Sequence, residues 1–99
     1  MKLVVTDSAW SSLAALIEFW AGSNTDERIA ERVDEIWEQV QWLVKNPGAG
    51  QFEEHLEEIG LHHRRWVADE IRIIYRVIDD TLFITDFFDS RQDPGKMKR

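Results

Sequence analysis

The 99-residue sequence has no cysteine, only two prolines and no long apolar run. The absence of cysteine excludes a disulfide framework, a thiolate metal site and a cysteine nucleophile. The apolar stretch near the N-terminus, residues 3–5, is far too short for a signal peptide or a membrane span. We therefore expect a soluble protein of the cytoplasm that does not associate with membranes.

Several motifs of enzyme chemistry are also missing. The sequence has no glycine-rich loop that would hold a phosphate, and no arrangement of Ser, His and Asp typical of nucleophilic catalysis. Of its three histidines, His62 and His63 are adjacent and would face opposite ways on a strand. The histidines therefore predict no metal site, and we expect no cofactor.

The residues that are present indicate one folded domain, since 43% are hydrophobic and five are tryptophans. A net charge of −7 ordinarily speaks against binding to nucleic acid. The charge is uneven, because residues 1–60 carry four Lys and Arg against twelve Asp and Glu, whereas residues 61–99 carry eight against seven. Two thirds of the cations thus lie in the C-terminal part, and we interpret the acidic part as solvated helix surface.

The N-terminal half predicts a strand and two helices. Residues 2–6 read as a short strand, and apolar residues then recur at helical spacing over residues 10–21, with Asp7 or Ser8 as the cap. A second apolar stripe over residues 29–44 has the clearest helical period in the chain.

The sequence marks both ends of the second helix. Asn24, followed by Glu27 three residues later, resembles a capping box that opens this helix. Residues 46–50, NPGAG, end it. Residues 51–60 have apolar residues at helical spacing but are few and bounded by glycines, so a helical turn and a short edge strand both stay open.

Three further strands follow in residues 61–94. Apolar residues alternate with other residues along the middle one, which is the period of a strand with one buried face: Ile71, Ile73, Tyr75 and Val77. Arg72 and Arg76 point the other way. Asp79-Asp80 is a turn signal before the last strand, so this stretch predicts a hairpin that carries arginines on one face.

This element order predicts an α+β fold, in which two N-terminal helices pack on one face of a mostly antiparallel sheet. We assign residues 1–94 to a single domain with the order β-α-α-β-β-β. Residues 95–99, GKMKR, are expected to form a mobile basic tail.

Four segments together resemble the RelE/ParE superfamily of toxins from bacterial type II toxin–antitoxin modules. Residues 71–80, IRIIYRVIDD, are similar to the family's strand and turn, and residues 87–94, FFDSRQDP, to the closing segment of its plasmid-stabilisation members. Pro47-Gly48 and the basic strand residues 63–66, HRRW, match as well. The resemblance implies the family's fold and a toxin that a cognate antitoxin neutralises.

The family's activities differ, so the resemblance implies alternatives. ParE-like members poison DNA gyrase, whereas RelE-like members are ribosome-dependent endoribonucleases that cut messenger RNA. A third interpretation is an inactive member that only binds protein. We favour a ParE-like, gyrase-directed toxin of a plasmid-stabilisation module because the ribonuclease residues are incomplete, and we leave a homodimer open.

For a nuclease, the resemblance would make Arg72 the stabiliser of phosphate charge, flanked by His63 and Arg65 and joined by Arg91. Cutting RNA requires a base, charge stabilisation on the phosphate and an acid, and a histidine titrates in the right range for the base. However, the family's lysines at the positions of His63 and Arg65 are absent. Arg91 aligns only after a one-residue shift, and no tyrosine follows it.

For a protein partner, we expect the working surface to be the arginine-bearing strands and the tail. The partner-binding residues predicted there are Arg64, Trp66, Arg76, Arg91 and Lys96. The plainer interpretation of Arg72 and Arg76 is that they pair with Asp69 or Asp86 across strands. Tyr75 shares its face with apolar residues, which favours a place in the core.

Overall fold

Five strands form one sheet, and two helices cover one of its faces. The computed structural model describes residues 1–99. The strands are β1 (Lys2–Val5), β2 (Gln51–Phe52), β3 (Arg64–Ala68), β4 (Ile71–Ile78) and β5 (Thr81–Asp89), and the helices are α1 (Asp7–Ala21) and α2 (Asp26–Lys45), with short 3-10 helices at Glu54–Ile59 and Pro94–Lys96. Neither α1 nor α2 combines the length and the apolar character that crossing a bilayer requires.

The strand order is β1-β5-β4-β3-β2, with β1 parallel to β5 and all other neighbours antiparallel. The predicted α+β class with a mostly antiparallel sheet is therefore confirmed. The first strand joins one edge of the sheet, where Lys2 lies opposite Thr81. The ambiguous residues 51–60 adopt both alternatives, because β2 is a two-residue edge strand and a 3-10 helix follows it.

Both α-helices begin at a threonine that the sequence analysis did not select. The hydroxyl groups of Thr6 and Thr25 each accept a backbone N–H from the first turn, at 3.1 and 3.2 Å. The first cap thus precedes Asp7 by one residue. Asn24, the predicted cap of α2, instead donates its side-chain amide to the carbonyl of Trp20 at 3.0 Å and closes the end of α1.

The main core lies between the helices and the face of the sheet that they cover, which we call the helix face. A β-bulge opposite Ile74 and Tyr75 lets Ile84 and Phe87 of β5 share this face although they are three residues apart. The buried core residues are Ala9, Leu13, Leu16, Trp20, Ile29, Ile36, Val40, Leu43, Ile71, Ile73, Tyr75, Leu82, Ile84 and Phe87.

The opposite face of the sheet, which we call the outer face, carries Arg65, Arg72, Ile74 and Arg76. It holds a second apolar cluster, formed by Leu56, Ile74, Phe88 and Met97. Strand β4 is therefore buried on both faces, whereas its alternating sequence predicts only one. The second cover comes from the 3-10 helix after β2 and from the C-terminal segment.

The C-terminal segment differs from the predicted mobile tail. Residues 94–96 form a 3-10 turn, and Met97 is only 7% exposed within the outer-face cluster. The next backbone N–H, that of Lys98, donates to Oδ2 of Asp86 at 2.9 Å. One apolar side chain between basic neighbours thus holds the segment against the sheet.

Candidate functional site

Arg65 and Arg72 lie on neighbouring strands of the outer face and bind the same carboxylate. Nη1 of Arg65 donates to Oε2 of Glu53 at 2.8 Å, and Nη1 of Arg72 donates to Oε1 at 2.8 Å. The Glu53 side chain has no exposed surface, whereas the two arginines retain 19% and 26% exposure. The two charges that the nuclease interpretation assigns to a phosphate are thus directed at a buried glutamate.

Glu53 follows directly after β2 and precedes the 3-10 helix. Its backbone N–H donates to the carbonyl of His63 at 2.8 Å, which fixes it beside the basic strand. Sequence reasoning missed this residue because three exposed glutamates lie within five positions of it. The available signal is spacing, since Glu53 precedes the buried Leu56 by three residues and therefore faces the same side of a 3-10 helix.

His63 lies on the same face, next to Glu53 and beneath the C-terminal segment. It is 2% exposed, and neither ring nitrogen has a hydrogen-bond partner of acceptable geometry, although the backbone of Arg99 lies close to the ring. Burial lowers its pKa, and the positive charge of Arg76 lowers that pKa further. A neutral ring suits a general base, but a substrate cannot reach this one while the segment is in place.

We expect the pKa of His63 to make stability depend on pH. Because this pKa is lower in the folded protein, the unfolded chain binds the proton first as the pH falls below about 6.5. The free energy of unfolding should therefore fall more steeply from pH 7 to pH 5 in the wild type than in His63→Gln. Urea unfolding at each pH measures this difference.

The control for this experiment is His55→Gln, which removes an exposed histidine. The free energy of unfolding of this variant should depend on pH as that of the wild type does. Identical slopes for the wild type and for His63→Gln would contradict the prediction.

Arg91 lies apart from the other predicted catalytic residues. Its Nε and Nη2 donate to the two carboxylate oxygens of Asp89 at 3.0 and 2.7 Å, and Nη2 lies 3.4 Å from Glu70. These hydrogen bonds from Arg91 lower the pKa of Asp89. Since Arg65 and Arg72 bind Glu53 instead, the structure does not bring the four predicted catalytic residues into one site.

Arg91 also lines a groove between α1 and β5, with a volume of about 590 Å³. Apolar side chains from both elements line it, among them the largely exposed Phe19. Its basic residues are Arg91, Lys96 and Lys98. Two of the five predicted partner-binding residues thus line one groove, together with five apolar residues and the carboxylates of Asp86 and Asp89.

Two of the other three predicted partner residues, Arg64 and Trp66, are engaged within the chain, and the third, Arg76, lies on the outer face. Nη1 of Arg64 donates to the carbonyl of Gly50 at 2.6 Å. The ring of Trp66 stacks on Trp42 at a centroid distance of 4.9 Å, and its Nε1 donates to Gln39 at 2.8 Å. Arg64 and Trp66 therefore fasten β3 to the end of α2 and to β2, and both side chains are half-buried.

Tyr75 belongs to the core, as its face on β4 indicates. Its hydroxyl donates to the carbonyl of Pro47 and accepts the N–H of Gly50, both at 2.9 Å. Burial raises its pKa. Tyr75 therefore anchors the loop between α2 and β2.

The chain's His, Asp and Glu side chains form no group of three or more suited to a metal ion.

The geometry defines a small α+β protein with a pair of helices on one face of its sheet. On the outer face, Arg65 and Arg72 form ion pairs with the buried Glu53. A solved structure of the chromosomal ParDE toxin–antitoxin system from P. aeruginosa matches this fold with a TM-score of 0.74 and 25% sequence identity. The match covers 90% of this chain and 95% of the other. No protein-family model matches the chain, and no curated protein matches it significantly.

This match confirms the resemblance drawn from four segments between residues 47 and 94. The chain has the fold of the RelE/ParE-like toxins, and it is similar to the ParDE structure over nearly its whole length.

Proposed function

We propose that the chain is the toxin of a type II toxin–antitoxin module, that it acts in the cytoplasm on DNA gyrase, and that it cuts no RNA. The likeness to a ParDE system over 90% of the chain supports the toxin assignment. The observation that carries the choice of target is the engagement of Arg65 and Arg72 by the buried Glu53.

The chemistry of RNA cleavage explains why this ion pair supports a protein target rather than RNA. A nuclease must present a cation to the phosphate and a base to the 2′-hydroxyl group. Here the two arginines face an internal carboxylate, the histidine is covered, and Arg91 binds Asp89. None of these groups is placed to act on a common phosphate. The arrangement therefore favours binding to a protein target over cleavage of RNA.

The groove between α1 and β5 supports the proposal that an antitoxin neutralises the chain. A groove lined by five apolar residues and by three cations against two carboxylates suits a partner segment with apolar and acidic side chains. Arg91 and Lys96 are the predicted partner residues that this groove contains.

The proposal is tested by three measurements on the same protein. Induced expression should arrest growth, the purified protein should inhibit supercoiling by gyrase, and messenger RNA should stay intact with ribosomes present. The informative variant is Arg72→Lys, which keeps a charge beside Glu53 but loses the planar donor group. We expect this variant to arrest growth as the wild type does.

Other outcomes distinguish the alternatives. If the protein cuts messenger RNA only with ribosomes, and Arg72→Lys reduces cutting by roughly 10²-fold or more, the chain is a nuclease of the RelE type. If growth, RNA and supercoiling are all unaffected, the proposal fails, and an inactive binding member remains.

A further inference from the structure

Strand β1 lies at one end of the strand order, so one of its two backbone edges has no neighbouring strand. The backbone N–H groups of Lys2 and Thr6 donate to carbonyl groups in and just before β5, at 2.8 and 3.0 Å. Backbone groups point to alternate sides along a strand. The N–H and C=O groups of Leu3 and Val5 therefore point away from β5, toward the free edge, where they can pair with another chain.

The opposite edge of the sheet is better protected. Strand β2 pairs with β3 over only two residues, and arginine side chains bind its carbonyl groups. Arg64 donates to the carbonyl of Gly50 at 2.6 Å, and Arg65 donates to that of Phe52 at 2.8 Å. Strand β1 has no proline and no bulge, and its one charge lies at its first residue, Lys2. It is therefore the edge that remains open to a further strand.

The side chains of β1 are apolar on both faces of the sheet. Leu3 and Val5 are partly buried against the main core, at the end of that core. Val4 faces the outer side, where it is 40% exposed and lies next to Phe83 of β5. A strand laid along this edge would extend the sheet and cover apolar surface on both faces.

We propose that this edge binds the same edge of a second copy of the chain, so that the two sheets join into one continuous sheet. The two β1 strands run antiparallel, and the two-fold axis passes beside Val4, which lies opposite the partner's Val4. Leu3 then lies opposite the partner's Val5. This homodimer does not depend on the toxin assignment.

The backbone groups and the charges select this register. Leu3 and the partner's Val5 both direct their N–H and C=O groups at the interface, so they form a hydrogen-bonded pair, and the two-fold axis repeats it. A shift by one residue would place Leu3 opposite the partner's Val4, whose backbone groups are directed at β5. The antiparallel order also brings the exposed Lys2 toward the partner's Asp7, which is exposed as well.

The first experiment uses the absence of cysteine, which lets a single introduced cysteine report on the interface. Val4→Cys should form a disulfide-linked dimer under mild oxidation of the folded protein. Directly opposite residues of a non-hydrogen-bonded antiparallel pair lie about 4.5 Å apart at Cα, which a disulfide can span. The yield of linked dimer over time, measured on a non-reducing gel, gives the rate.

Two control variants separate the proposed register from random collision. Ile78→Cys places the thiol at a similarly exposed site on the same face, two strands away from the edge. Lys2→Cys places it on β1 itself, but opposite the partner's Thr6 rather than opposite its own copy. Both variants should form linked dimers at least roughly tenfold more slowly than Val4→Cys, because neither brings two thiols within disulfide distance.

The second experiment measures the mass of the unmodified protein by sedimentation equilibrium. An edge this short makes a small interface, so the dimer should dissociate on dilution. We expect the average mass to rise from about one chain at roughly 10 µM to at least about 1.5 chains at roughly 1 mM.

Val4→Lys should stay at the mass of one chain throughout, because it sets like charges opposite each other at the axis. Ile78→Lys, the matched control, should behave as the wild type does. Both sites are exposed in the single chain, so circular dichroism should show an unchanged fold for each variant.

Three results would overturn the proposal. They are a wild type that stays a single chain at every concentration, a dimer that Val4→Lys does not weaken, and linkage of Val4→Cys no faster than that of the two control variants. A single chain at every concentration would leave the edge to a strand of a different protein. Neither experiment reads growth or supercoiling, so failure of the toxin assignment and failure of the dimer are told apart.

Discussion

Glu53→Ala should lower the free energy of unfolding by about 3–5 kcal/mol, the range expected when one partner of a buried ion pair is removed. The change leaves Arg65 and Arg72 next to each other on neighbouring strands, without the carboxylate that both of them bind. For a domain of this size the loss is a large share of the total stability. Urea unfolding at pH 7 measures it.

The matched control is Glu54→Ala, since Glu54 is the next residue and is exposed. Its effect should stay within about 0.5 kcal/mol. A second variant separates loss of charge from loss of packing. Replacing Glu53, Arg65 and Arg72 together by apolar residues of similar volume should restore most of the stability. A loss below about 1 kcal/mol for Glu53→Ala would show that the two arginines find water or other partners instead.

The second large effect is expected at Gly50, which is buried against Tyr75 and the backbone of β3. A Cβ atom at this position would lie 2.5 Å from the hydroxyl oxygen of Tyr75 and 2.6 Å from the carbonyl oxygen of Arg65. Gly50→Ala must therefore displace β3 or break the hydrogen bond between Gly50 and Tyr75. We expect a loss of about 3 kcal/mol, the upper part of the range for overpacking, measured as a shift in the urea midpoint.

Gly48→Ala is the control, because no atom lies within 4 Å of a Cβ there. It should be neutral or slightly stabilising, by up to about 1 kcal/mol. Tyr75→Phe should not rescue Gly50→Ala, since the carbonyl of Arg65 obstructs the methyl group as well. Full rescue would show that the hydroxyl group alone causes the clash.

Local patterns in the sequence are enough to predict both α-helices and the class of fold, whereas they leave residues 51–60 ambiguous. The apolar stripe of residues 29–44 and the alternation of residues 71–77 are direct consequences of helix and strand geometry. The predicted caps lie one or two residues from the observed cap of α1 and one residue from that of α2, because neighbouring Thr, Asp, Ser and Asn side chains all suit that role. Only the backbone angle at the helix start decides among them.

The candidate site was less predictable because it depends on contacts between distant segments. The sequence shows Arg65 and Arg72 as basic residues but does not show that Glu53 turns toward them. It shows Met97 among lysines but not the outer-face cluster that receives its side chain. Both contacts bring together residues far apart in the chain, and no local period records such a pairing.

The parallel pairing of β1 with β5 has a consequence for the order of folding during synthesis. Residues 2–5 are made before their partners, residues 81–84, so this edge of the sheet cannot form until β5 has emerged from the ribosome. The helices can form earlier, but their apolar faces have no completed sheet to cover. A nascent chain of this protein therefore lacks the β1–β5 edge and the groove between α1 and β5 until β5 has been synthesised.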